Sequence, residues 1–160
     1  MKITPAQIAS VTVETTIHAS PEQVWLNLTD NIGRWWPNEF YTGGSAGHRS
    51  YTLEAKPGGR MIEEWSDGGG ILWGTVQTVA PGKKLEVSGM ITPQWGGPAF
   101  WTGTWSLEEE AGSTRVSFTD STVGNIAEDN MGGKAKGWEF LFCQALKAHC
   151  EGEPAPAWSE

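Results

Sequence analysis

Glu63 and Glu64 are adjacent carboxylates inside a stretch, Arg60–Ser66, that reads as a β-strand. Successive side chains on a strand point to opposite faces, so one of the two must turn inward. A carboxylate taken out of water is a candidate general acid or base, because burial or a charged neighbour shifts its pKa. Asp120, near the end of the last strand, reads the same way. The competing reading sets the inward carboxylate near a strand end, reaching solvent or pairing with Arg60. Other chemistries find little support. His18, His48 and His149 are far apart and no Cys/His spacing matches a zinc site, so neither a metal nor a cofactor is expected. His149 falls near a helix C-terminus, where the dipole favours a structural imidazolium. No Gly-x-Ser-x-Gly elbow occurs, and Cys143 and Cys150 have no evident base. The glycine clusters at 58–59, 68–70 and 96–97 lack a following Lys and fall in hairpin turns, not phosphate loops.

Ten tryptophans stand against two tyrosines. Indole has a large apolar body with one N–H that needs an acceptor, so it suits cores, pocket walls and interfaces alike. The candidate walls of a ligand pocket are Trp35 and Trp36, the strand residues Trp65, Trp73, Phe100, Trp101 and Trp105, and Trp138 and Phe142 near the end of the chain. Alternation sends Phe100 and Trp101 to opposite faces, so some of these rings must pack outward or in turns. For each ring taken alone, ordinary packing is the competing reading.

These residues need elements to hold them. Val11, Val13, Thr15 and Ile17 alternate with Thr12, Glu14, Thr16 and His18, the period of a half-buried strand. Ser20, Pro21 and Gln23 form a capping box that opens a short helix over Pro21–Leu28. Thr29 or Asp30 caps a second short helix ending at Trp36-Pro37. Glu39–Ser50, with Phe40, Tyr41, His48 and Arg49, reads as loop. Six strands follow between Gly- and Pro-marked turns: Tyr51–Lys56, Arg60–Ser66, Ile71–Ala80, Lys84–Thr92, Ala99–Glu108 and Ser113–Val123. Lys134–Glu151 closes the domain as a helix, with Asn130 as N-cap and Gly152 and Pro154 as the stop. Trp138, Leu141, Phe142, Ala145, Leu146 and His149 share one face of it. Gly137, costly in a helix interior, either lets the backbone approach the sheet or is simply tolerated. The expected organisation is one domain over residues 1–152 and a frayed tail over 153–160.

The run Ala19-Ser20-Pro21-Glu22-Gln23-Val24-Trp25, then Trp35-Trp36-Pro37, Pro57-Gly58-Gly59-Arg60, Gly74-x-Val76 leading to Pro81 and Leu85, and Gly137-Trp138-Glu139 resembles the START-like (SRPBCC) superfamily. Within it, the chain looks like the branch of activators of the heat-shock-90 ATPase and related bacterial single-domain proteins. The resemblance implies an α+β helix-grip fold: a seven-stranded antiparallel sheet curved around a long C-terminal helix, with a cavity between them and two short helices closing one end. It also implies a family whose members include lipid carriers, aromatase/cyclases, hydrolases and co-chaperone domains.

The net charge of −8 disfavours a nucleic-acid or anionic-membrane partner. No apolar run reaches the roughly 20 residues of a membrane span, and MKITPAQIAS has no apolar signal core. Cys143 and Cys150 lie about 10 Å apart along one helix by its rise, too far for a disulfide. Two reduced thiols fit the cytoplasm. The expected function is binding of a small hydrophobic or aromatic molecule in the cavity. Three rivals stand beside it: a cyclase- or hydrolase-type enzyme using a buried carboxylate there, a co-chaperone-like interaction domain, and a homodimer joined through exposed Trp side chains such as Trp95 and Trp101. Eukaryotic activators of the chaperone carry an additional N-terminal domain for which this chain has no room.

Overall fold

The computed structural model describes residues 1, 3, 5–42, 49–126 and 128–159, with the side chains of 128–130 left aside. The chain opens in β1 (Gln7–Ile17), whose Val11, Val13, Thr15 and Ile17 turn toward the core. The capping box then forms: Gln23 N donates to Ser20 Oγ at 3.3 Å, and Ser20 N donates to Gln23 Oε1 at 3.4 Å. It starts α1 (Pro21–Leu28), which buries Val24 and Leu28. In α2 (Ile32–Trp35) the N-cap is Asn31, whose side chain makes no capping bond, and not Thr29 or Asp30. The Thr29 hydroxyl instead turns back to the Trp25 carbonyl at 2.8 Å and helps to close α1. After Pro37 a single 3₁₀ turn, Asn38–Phe40, stands where the sequence reads as loop. His48 lies outside the described residues.

The strands β2 (Arg49–Leu53), β3 (Arg60–Trp65), β4 (Gly70–Ala80), β5 (Lys84–Ile91), β6 (Ala99–Glu110) and β7 (Ser113–Gly124) form an antiparallel meander, and β1 pairs with β7. The sheet order is therefore β1-β7-β6-β5-β4-β3-β2. Two register shifts interrupt it. Met61 pairs with Gly74 and Ile62 with Leu72, leaving Trp73 as the extra residue; farther along β4, Gln77 is passed over between Val76 and Thr78. Bulges of this kind bend a strand and re-aim a side chain.

Across the hollow face runs one C-terminal helix made of α3 (Glu128–Trp138), a π-helical stretch (Glu139–Ala145) and α4 (Leu146–Glu151). It begins ahead of the expected Lys134, so Asn130 lies inside it and does not cap it. In the π stretch Leu146 N–H reaches the Leu141 carbonyl, five residues back. The wider turn buries Phe140 together with Leu141 and Phe142, where an α-helical stripe would admit only the last two. Phe142, Trp105 and Phe118 meet in the centre of the core, with ring centroids 4.5–5.6 Å apart. Burial of each such ring contributes roughly 1.5–3 kcal/mol. Gly152, at φ 70°, ends the helix, and Glu153 N closes on the Ala148 carbonyl at 2.8 Å. The tail beyond has no regular structure, yet its Trp158 packs against Phe40 and Phe140 at 5.2 and 5.0 Å. Among the described residues no helix is long and apolar enough to cross a membrane.

Candidate functional site

Sheet and helix do not close completely on each other. Two adjoining chambers of about 320 and 210 Å³ lie between them. Tyr51, Trp73, Lys134 and Trp138 line both and so mark their junction. The larger chamber continues toward Trp36, Phe40 and Thr42; the smaller is floored by Met61, Ile91 and Trp101 and rimmed by Trp95. On the helix side the wall of the larger chamber carries Gly133 and Gly137, one turn apart. A Cβ on Gly133 would meet nothing within 4 Å, and one on Gly137 would meet only Phe40, at 3.4 Å. Gly137 therefore does not bring the helix against the sheet. The two glycines leave the chamber open where larger side chains would fill it.

Trp73 is held at the junction by construction. It is the bulged residue of β4, and its carbonyl accepts the Trp101 indole N–H at 3.0 Å. Opposite it, Gly89 is compulsory, because a Cβ there would stand 2.0 Å from the Trp73 oxygen and 2.6 Å from Trp101 Nε1. Trp36 stacks on Tyr51 with centroids 4.0 Å apart and planes 16° apart. Burial, reinforced by the Glu63 and Tyr41 charges, holds the Tyr51 phenol well above its ordinary value, so it stays a neutral hydroxyl. The Tyr41 phenol is raised too, by burial first and Glu63 second, with Arg49 opposing.

Of the three candidate carboxylates, Glu63 and Asp120 are fully buried and Glu64 is exposed. Arg60 pairs with Glu54 at 3.0 Å and with neither Glu63 nor Glu64. Glu63 accepts from Thr42 N at 2.9 Å, Thr42 Oγ1 at 3.0 Å and Trp65 Nε1 at 2.7 Å. It thereby pins the segment after the 3₁₀ turn onto β3. Asp120 accepts from Thr122 Oγ1 at 2.7 Å, from Lys134 Nζ at 3.0 and 3.3 Å and from Trp138 Nε1 at 3.0 Å. The Lys134 ammonium also donates to Thr122 Oγ1 at 3.0 Å. This buried cluster ties β7 to the C-terminal helix. Both carboxylates are spent on the fold, with their lone pairs directed at protein donors.

The structure brings Trp36, Trp73, Trp101 and Trp138 to the cavity and sets the other candidate walls elsewhere. Phe100 stands on the outer face of the sheet, 43% exposed, opposite in direction to Trp101 as alternation requires. Trp101, at 4% exposure, is buried and cannot serve as an exposed dimer contact. Trp105 and Phe142 are core, and Trp65 is bound to Glu63. Trp35 donates to the Asn27 carbonyl and faces a separate, more polar groove with Arg34, Glu39 and His149. Burial lifts the Cys143 and Cys150 thiols to about 11, so neither is a thiolate at neutral pH. Among the described residues no group of three or more metal-ligating side chains occurs. Sequence reasoning missed Tyr51, Thr42 and Lys134. A signal existed for the last: Asp120 and Thr122 share a strand face, and Lys134 and Trp138, four apart, share a helix face.

Solved structures share this architecture. Protein Mll3558 from Rhizobium loti superposes with a TM-score of 0.68 at 22% identity, covering 91% of this chain and 99% of its own. EF2215 from Enterococcus faecalis, a conserved protein of unknown function, gives 0.69 at 20%, covering 96% and 78%. The Aha1 dimer from Colwellia psychrerythraea gives 0.54 at 23%, covering 89% and 96%. At these identities the likeness speaks for the helix-grip fold alone. No curated protein matches the chain in sequence. The model of the family described as Activator of Hsp90 ATPase homolog 1-like protein matches residues 18–151, from the end of β1 to the last turn of the helix. By that match the chain belongs to the Activator of Hsp90 ATPase homolog 1-like family.

Proposed function

We propose that this protein binds a small, flat, hydrophobic or aromatic molecule in the cavity between the sheet and the C-terminal helix. The observation that carries the reading is open volume walled by Trp36, Trp73 and Trp138 in a domain otherwise packed ring against ring. Concave, mostly apolar and pre-formed spaces with a few convergent polar groups are the usual form of small-molecule sites. Binding is favoured over catalysis because a general base needs a lone pair free for substrate, and those of Glu63 and Asp120 are directed at protein donors. Two free cysteines fit a cytoplasmic site of action. The test is saturable binding of an environment-sensitive apolar dye, read by energy transfer from tryptophan. Competition with fatty acids, sterols, flavonoids and polycyclic aromatics follows. One site displaced by one class supports the reading; no saturable binding by folded protein refutes it.

A second reading, homodimerisation, is favoured by a row of exposed apolar side chains. Ile8, Val123, Phe100 and Met90 are register neighbours across β1, β7, β6 and β5, and are 81, 39, 43 and 60% exposed. Exposed apolar patches commonly mark interaction sites, and one solved relative is described as a dimer. Sedimentation equilibrium of the wild type should show a dimer that Phe100→Glu dissociates. A wild type that stays monomeric at high concentration excludes it. The family description also brings stimulation of the heat-shock-90 ATPase as an activity to assay.

A further inference from the structure

The unpartnered polar groups at the cavity can all donate a hydrogen bond. Asp120, the buried carboxylate that lines the smaller chamber, is committed to protein donors, as described above. Lys134 and Tyr51 line both chambers, but the Lys134 ammonium is already donated to Asp120 and Thr122, which leaves the Tyr51 hydroxyl. Tyr51 is neutral, and its hydroxyl has no hydrogen-bond partner among the described residues. The indole N–H groups of Trp36 and Trp73, both cavity-wall residues, are buried without an acceptor. Most other cavity and neighbouring indoles have one: Trp101 on the Trp73 carbonyl, Trp138 on Asp120, Trp35 on the Asn27 carbonyl and Trp65 on Glu63. A surplus of donors in an apolar space selects a ligand that brings acceptors.

Resting on the binding reading above, we infer that the ligand is a flat aromatic molecule carrying a neutral carbonyl-type oxygen. The ring plane lies at the junction between Trp73 on the sheet and Trp138 on the helix. The oxygen takes a hydrogen bond from the Tyr51 hydroxyl. A carboxylate fits less well, because the Lys134 charge is already matched by Asp120 at 3.0 Å, and a second anion beside Asp120 meets like-charge repulsion. An amine fits least, since it brings a second cation beside the Lys134 ammonium.

Three shape-matched probes test this on the intact protein by dye displacement: 9-fluorenone, fluorene and fluorene-2-carboxylate. Fluorenone should bind roughly tenfold more tightly than fluorene, the worth of one or two hydrogen bonds, and more tightly than the carboxylate. Tyr51→Phe, which removes only the hydroxyl, should weaken fluorenone several-fold and leave fluorene unchanged. In ¹⁵N spectra, indole signals should move with fluorenone beyond the shifts caused by fluorene. Equal affinity for fluorenone and fluorene, or tightest binding of the carboxylate, overturns the inference while the hydrophobic site stands. Failure of the dye and all three probes to bind folded protein overturns both.

Discussion

Asp120 and Glu63 show how a buried carboxylate is read at the scale of a residue. Alternation in the sequence foretells that one of Glu63 and Glu64 turns inward, and the structure selects Glu63. What alternation cannot foretell is the partner, which comes from a segment 21 residues away for Thr42 and from another element for Lys134 on Asp120. The partners decide the role. A carboxylate shared by an ammonium, an indole and a hydroxyl is a tie between β7 and the helix. Removing one member leaves the other charge uncompensated, which in buried pairs costs about 3–5 kcal/mol; Lys134 is partly exposed, so the lower end applies. Asp120→Asn and Lys134→Met should each lower the unfolding free energy, measured by urea denaturation, by about that amount. The double variant should be milder than the sum of the two, because it removes both charges together. Strict additivity would contradict the tie.

At the scale of elements, punctuation was legible and long-range packing was not. The Ser20–Gln23 box, the Pro37 break, the turn glycines and the Gly152 stop are local devices, each complete within a few residues, and each appears where the sequence has it. The π stretch and the Trp73 bulge are different. Each exists because packing across the cavity outweighs regular hydrogen bonding, and no local spacing encodes that. The positions of Phe100 on the outer face and Trp105 in the packed core have the same origin: period 2 says which side chains share a face, but not which face lines space and which fills it. Tail docking is also non-local. Trp158 packs on Phe40, itself a cavity wall, and on Phe140 in the π stretch. Trp158→Ala should therefore destabilise by about 1–3 kcal/mol and weaken dye binding, measured by denaturation and energy transfer. An unchanged dye affinity would separate the tail from the cavity.

For the whole molecule, the α+β helix-grip architecture followed from the order of strands and helices together with the family resemblance. The cavity's openness did not, because ten tryptophans are as able to fill a space as to wall it. The structure resolves this through what is missing on one helix face: Gly133 and Gly137 contribute no side chains where the sheet contributes Tyr51 and Trp73. Lipid, aromatic and carbonyl ligands alike would have to enter that space. The most direct measurement is saturable dye binding by wild type and by Gly137→Leu, with folding of both verified by circular dichroism. A leucine there projects into the larger chamber and is a better helix former than glycine by up to about 1 kcal/mol. The expected result is a folded variant, at least as stable as the wild type, whose affinity for the dye falls roughly tenfold or more. Undiminished saturable binding by folded Gly137→Leu would show that the ligand site lies elsewhere.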